Sequence, residues 1–186
     1  MLAYCINLKQ REDRWNKFIS QEFPFEVNRF DAIKGGSCGC LNSHIEVLKK
    51  CVDEILIFED DCEVICDWSV FFDAYSQLPE DWDMLYMGAN VHQKLKRFSE
   101  NLFYLRSGWS THGILYSKKM ADALIKNKAL RSAGNIDTFY AQKIQPNYRC
   151  FIIYPLFSIQ TPGHSDIIND FRGCYDMIPN YEKNTR

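Results

Sequence analysis

The 186-residue chain reads as an α/β fold, a single domain built on a mixed, mainly parallel sheet flanked by helices. Three observations predict this. Apolar runs of strand length alternate with amphipathic stretches of helix length through the first half. The run Ile55-Leu56-Ile57-Phe58 has no polar interruption, as a strand buried on both faces requires. That run ends in Glu59-Asp60-Asp61, and the carboxyl ends of strands are where open α/β sheets bind ligands.

The elements follow in order. Ala3–Leu8 is a buried strand, and Glu12–Ser20 a short amphipathic helix carrying Trp15, Phe18 and Ile19 on its apolar side. Glu26–Phe30 is a second strand, followed by the loop Lys34-Gly35-Gly36-Ser37-Cys38-Gly39. Ser43-His44-Ile45-Glu46 matches a capping box and predicts a helix that turns Ile45, Leu48 and Val52 to the core. The acid-tipped strand at Ile55 comes next. Asp67 caps a helix with Val70, Phe71, Ala74, Tyr75 and Leu78 on one face, and Pro79 closes it. Met84–Met87 is a strand ended by Gly88.

The second half is less regular. Strands are predicted near Phe103–Leu105, Gly113–Tyr116 and Tyr148–Tyr154, with Ser117 capping Lys118–Lys126 and Asn135 capping Ile136–Ile144. Val91–Glu100 is polar and basic and reads as a mobile flap. Ser158–Asp170 shows no periodicity.

Composition excludes several functions. A net charge of -2 offers no excess of cations for nucleic-acid phosphates. No apolar stretch approaches about 18 residues, so no membrane span is predicted. The segment MLAYCINLKQREDR lacks the charged-then-apolar order of a signal peptide, which favours a cytoplasmic protein. The eight cysteines form no C-x-x-C pair and lack zinc-finger spacing, so free thiols are expected.

Three adjacent acids repel one another, and a compensating cation or solvent relieves that repulsion. Hard divalent ions such as Mn²⁺ or Mg²⁺ favour carboxylate oxygens and bridge to substrate phosphates. Residues two apart on an extended backbone share a side, which makes Glu59 and Asp61 the candidate metal pair. Asp60 faces the other way, toward a sugar hydroxyl or a backbone amide. Asn7-Leu8 through Arg11 and Arg14 leaves the first strand's carboxyl end, where amides and guanidinium groups can reach a base, ribose or diphosphate. Gly39 to Ser43-His44 ends at the expected helix N-terminus, which favours an anion.

Taken together and in order, these segments resemble one family. I-N-L-x-x-R-x-D-R, G-C-x-x-S-H, I-F-E-D-D and L-P-x-D-W-D-x-L-Y-x-G are similar to the family 25 glycosyltransferases, the lipooligosaccharide and collagen galactosyltransferases. The likeness continues through Thr111-His112-Gly113 with Ser117-Lys118-Lys119, Ile136-Asp137 and Ser165-Asp166-Ile167, from Ile6 to about Ile167. It departs in overall length, which is short, and at Ser110, where Gly is common.

The resemblance implies a GT-A fold, a UDP-sugar donor (UDP-galactose or UDP-glucose), a Mn²⁺-type ion and inversion at the anomeric carbon. The acceptor would be a hydroxyl of a glycan, a lipooligosaccharide or a protein, with contact at a membrane surface a further expectation. Residues 1–90 would then be the nucleotide-sugar half, 91–170 the acceptor and catalytic half, and 171–186 a tail. His164 is the candidate third metal ligand. Asp137 is the candidate base, with Asp166 as the alternative, and Thr111 and His112 would line the donor sugar or acceptor. Trp82 and Trp109 stack on sugar rings or fill the core. Two rival readings stay open: a phosphohydrolase with a strand-end Asp nucleophile, and a non-catalytic carbohydrate-binding protein that keeps the fold.

Overall fold

The computed structural model describes the backbone of residues 1–165 and 170–172, and side chains through residue 163. Its elements are β1 (Leu2–Asn7), α1 (Glu12–Ile19), β2 (Val27–Asp31), α2 (Gly36–Leu48), β3 (Glu54–Glu59), β4 (Cys62–Val64), α3 (Trp68–Ser76) and β5 (Met84–Tyr86). There follow β6 (Asn90–Val91), β7 (Lys96–Arg97), β8 (Leu102–Tyr104), β9 (Gly108–Trp109), β10 (Gly113–Ser117) and α4 (Lys118–Lys126). The last are α5 (Lys128–Arg131), α6 (Ile136–Phe139) with a π-helical turn at Tyr140–Ile144, β11 (Cys150–Ile153), β12 (Ser158–Gln160), β13 (Gly163–Ser165) and β14 (Asp170–Arg172).

Eight strands form one sheet in the order β2-β1-β3-β10-β5-β11-β8-β7. β1 pairs in parallel with β2 and β3, and β11 with β5, whereas β10 and β8 run against their neighbours. The sheet is thus mixed, with six strands pointing one way and two the other. Both faces are covered. Ile55, Ile57, Met84, Tyr86, Ile114 and Tyr116 join the core that contains α2 and α4, and the alternating Leu56, Phe58, Leu85 and Leu115 join the core around Phe18, Phe71 and Phe157. Period-two side-chain alternation therefore feeds two cores, which explains why Ile55–Phe58 of β3 has no polar position. Among the described residues no helix is long and apolar enough to cross a membrane.

Three capping expectations hold: Asp67, Ser117 and Asn135 accept from the backbone N–H of Ser69, Met120 and Thr138 at 2.8, 3.2 and 2.9 Å. The capping box at Ser43 does not. α2 begins seven residues earlier, at Gly36, after Gly35 with φ 133° and with Gly36 itself at φ 57°. Ser43 lies mid-helix, where its hydroxyl donates to Gly39 O at 2.7 Å and accepts from Ile33 N at 2.8 Å. Val52 is 72% exposed, because α2 has already ended at Leu48. Ile19, at 39%, also faces away from the core. The segment 91–100 is not a free flap: Val91 pairs with Gly108, Lys96 with Tyr104, and Leu95 is buried.

Gly88 ends β5 with no room for a side chain, since a Cβ there would sit 2.0 Å from Ser158 O and 2.9 Å from His112 Nε2. Gly88→Ala is expected to cost about 1–3 kcal/mol by overpacking. Gly134→Ala, where a Cβ would meet nothing within 4 Å, should stay within about 0.5 kcal/mol of the parent. Chemical denaturation of both variants checks this, and equal stability would refute the close approach at Gly88.

Candidate functional site

A cleft of about 290 Å³ opens at the carboxyl ends of β1 and β3, bounded by the start of α2, the start of α6 and the chain after β12. Glu59, Asp60 and Asp61 all line it, and so do Leu8, Arg14, Thr111 and Asp137. The three acids separate because the strand ends between them. Glu59 continues the β3 face that carries Ile55 and Ile57 toward α2. Its Oε1 accepts from His44 Nε2 at 3.0 Å and from Thr111 Oγ1 at 2.6 Å. Burial pushes the Glu59 carboxyl up, but the bonds from His44 and Thr111 outweigh it and leave the group below its ordinary range.

Asp60 turns to the α1 side. Its Oδ2 accepts from Asn7 Nδ2 at 2.6 Å and its Oδ1 from Arg14 at 2.9 Å. Burial raises this carboxyl, against the pull of Arg14 and Asn7. Asn7 is itself held, since its Oδ1 accepts from Arg29 at 2.6 Å, and Arg29 also pairs with Glu12. Asp60 is therefore a braced wall of the cleft.

Asp61 lies beyond the strand end, and among the described residues it shares no hydrogen-bond partner with Glu59. Its Oδ2 accepts from Gln160 Nε2 at 2.9 Å, while Oδ1 is buried without a partner among the described residues. Burial, then the negative charge of Glu59, pushes its carboxyl up to about 7. A buried carboxylate oxygen with no donor, on the wall of a cleft and beside a second acid, is the situation a bound cation relieves. The residues present thus fit a hard divalent ion, with Asp61 and Glu59 as carboxylate donors.

Thr111 joins two acids across the cleft: its hydroxyl lies 2.6 Å from Glu59 Oε1 and 3.0 Å from Asp137 Oδ1. A hydroxyl carries one proton, so full donation to one carboxylate turns lone pairs on the other. Asp137 reaches this place because Asn135 caps α6 and starts the helix at the cleft rim.

The remaining expected residues divide. Leu8 and Arg14 line the cleft; Arg11 does not, and forms a two-point pair with Asp13 at 2.9–3.0 Å. Asn7, Ser43, His44 and His112 are buried behind the wall, so contact with a ligand passes through the groups they hold. His112 Nδ1 lies 2.6 Å from Ser110 Oγ and Nε2 3.1 Å from Ser158 Oγ, and burial lowers its pKa to about 4. This corrects the expectation of Ser43 and His44 at an anion and His112 at the donor sugar or acceptor: burial gives these side chains no direct access to the cleft. Trp82 packs against the core around Phe71, whereas Trp109 stands beside His92. His164 is placed by its backbone alone, in β13 opposite Phe171, and Asp166 lies outside the described residues.

Ser110 has φ 88°, a left-handed conformation that favours Gly. Its hydroxyl lies 2.6 Å from His112 Nδ1.

Sequence reasoning missed Cys40, Gln160 and the segment Lys34–Ser37, all lining the cleft. Cys40, His44 and Glu59 offer donor atoms that lie within 4.8 Å of one another. The spacing Cys40 to His44 on one helix was the available signal.

No protein-family pattern matches the chain, and no curated protein is similar to it in sequence. Among solved structures, A197 from STIV superposes with a TM-score of 0.52 at 12% identity, over 92% of this chain and 93% of that one. That likeness is one of fold. Mannose-1-phosphate geranyltransferase from Thermus thermophilus gives a TM-score of 0.43 at 11% identity, over 81% of this chain and 58% of its own. Mouse xyloside xylosyltransferase 1 gives 0.38 at 8% identity, over 79% and 63%. This chain spans less than two thirds of the length of either of the last two.

Proposed function

We propose that this protein is a nucleotide-sugar-dependent glycosyltransferase of the family 25 kind. In this reading it moves a hexose, galactose in the first instance, from a UDP-sugar to an acceptor hydroxyl with inversion. The observation that carries the reading is the pairing, across one cleft, of the strand-end carboxylates Glu59 and Asp61 with Asp137 on the facing helix. A GT-A-like sheet with such acids at its carboxyl edge suits a donor whose diphosphate needs neutralising and an acceptor whose proton needs removing.

When bound, a Mn²⁺ or Mg²⁺ ion would act as a Lewis acid on the departing diphosphate, held by Asp61 and Glu59. Arg14 and the first backbone N–H groups of α2, which has no side-chain cap, favour the donor's phosphates. Asp60, fixed by Asn7 and Arg14, suits a sugar or ribose hydroxyl. Asp137 takes the acceptor proton, its Oδ1 standing 3.0 Å from the Thr111 hydroxyl. A strand-end-Asp phosphohydrolase fits less well, because Glu63 stands two residues beyond Asp61 where such an enzyme needs a second Asp.

The test is a panel of nucleotide sugars incubated without acceptor, with and without Mn²⁺, and read as free nucleotide. UDP release from UDP-galactose or UDP-glucose that requires the ion is expected. Phosphate release from simple esters, or sugar binding with no nucleotide turnover, would replace this reading with one of its rivals.

A further inference from the structure

The back wall of the cleft holds a second donor set, chemically unlike the carboxylate pair. Cys40 and His44 are four residues apart on α2 and so share a helix face. That face meets Glu59: His44 Nε2 is 3.0 Å and Cys40 Sγ 3.9 Å from the same Oε1. α2 is fixed there by close approach, since a Cβ on Gly39 would fall 2.2 Å from Ile33 O. Zinc bonds of about 2.3 Å to sulfur and 2.0–2.2 Å to nitrogen or oxygen give tetrahedral donor spacings of about 3.4–3.6 Å. The observed 3.0 and 3.9 Å bracket that range. Cys40 also lines the cleft, which gives an ion a way in from solvent.

We propose that Cys40, His44 and Glu59 form a binding site for a thiophilic divalent cation, Zn²⁺ or its analogue Cd²⁺. Thiolate and imidazole select such ions over Mn²⁺ and Mg²⁺, which prefer all-oxygen surroundings. Binding converts the Cys40 thiol to a thiolate and releases its proton to solvent. The site does not depend on the transferase reading. Its consequence does: where that reading holds, Zn²⁺ here engages Glu59 and competes with the hard ion for it.

Metal-stripped protein titrated with Cd²⁺ tests the site. One readout is the ultraviolet thiolate-to-metal charge-transfer band, and the other is protection of each cysteine from N-ethylmaleimide, mapped by peptide mass spectrometry. In the unmodified protein Cys40 should become protected as the band saturates, while the exposed Cys38 keeps reacting. Cys40→Ser should lose the band, Cys38→Ser should keep it, and His44→Gln should weaken binding by at least about tenfold. Cys40 remaining reactive at saturating Cd²⁺, or a band that persists in Cys40→Ser, would overturn the site. The protection assay uses the unmodified protein, so it decides the question even where a variant misfolds, and neither readout involves nucleotide sugars.

Discussion

Asp61→Ala is expected to abolish the divalent-ion dependence of UDP binding. Asp61 is the acid whose Oδ1 is buried without a hydrogen-bond partner among the described residues, while Gln160 holds its other oxygen in place. Removing it takes away a donor atom and leaves Glu59, already engaged by His44 and Thr111, as the remaining strand-end carboxylate of the pair. Loss of an outer-shell partner alone typically costs 10–100-fold in metal affinity, so loss of a direct ligand should cost at least about 100-fold. Calorimetry with UDP, with and without Mn²⁺, reads the effect. The parent should bind UDP far more tightly with the ion, and the variant equally weakly in both conditions. Equal affinity for the parent under both conditions would sink the metal bridge.

Asp137→Asn should lower kcat by roughly 10²–10⁴-fold, the usual contribution of a positioned base, with UDP affinity retained. A sugar or peptidyl hydroxyl is too weakly acidic to attack unassisted near neutral pH. The base must also be an acid not committed to the ion, which sets Glu59 and Asp61 aside. Asp137 lines the same cleft, with its Oδ1 3.0 Å from the Thr111 hydroxyl. The amide keeps the shape and one acceptor oxygen but has no basicity, so binding and chemistry should separate. Steady-state kinetics beside UDP calorimetry gives both quantities. An Asn variant turning over at near the parent rate would move the role to another acid, Asp166 first.

The sequence showed most clearly what depends on neighbouring residues. β3 was evident because a strand segment buried on both faces must be apolar, and its acids marked the sheet edge at which the cleft opens. Asp67, Ser117 and Asn135 were evident because a short polar side chain before an amphipathic run has a local partner. The start of α2 was hidden by two glycines with positive φ, which read as a loop, and by Ser43-x-x-Glu46, which mimics a cap. Ser43 instead bonds back to the carbonyl of Gly39, a habit of mid-helix serines. Strands of two or three residues, such as β6, β7 and β9, are too short to carry a period. The roles of Asn7, His44, His112 and Gln160 depend on partners remote in sequence, and no local pattern encodes them.

The cleft draws on widely separated stretches of chain. Asn7 meets Asp60 across 53 positions, Glu59 meets Thr111 across 52, and Asp61 meets Gln160 across 99. Each contact closes a long loop, whose entropic cost must be met before the contact contributes anything. Local helices can therefore form while the acids still face water as ordinary, well-solvated carboxylates. The perturbed electrostatics that would attract a cation arise only once β10 and β12 have docked. Capture of the proposed cation would then belong to the end of folding, and it would stabilise the fully assembled sheet over every shorter intermediate.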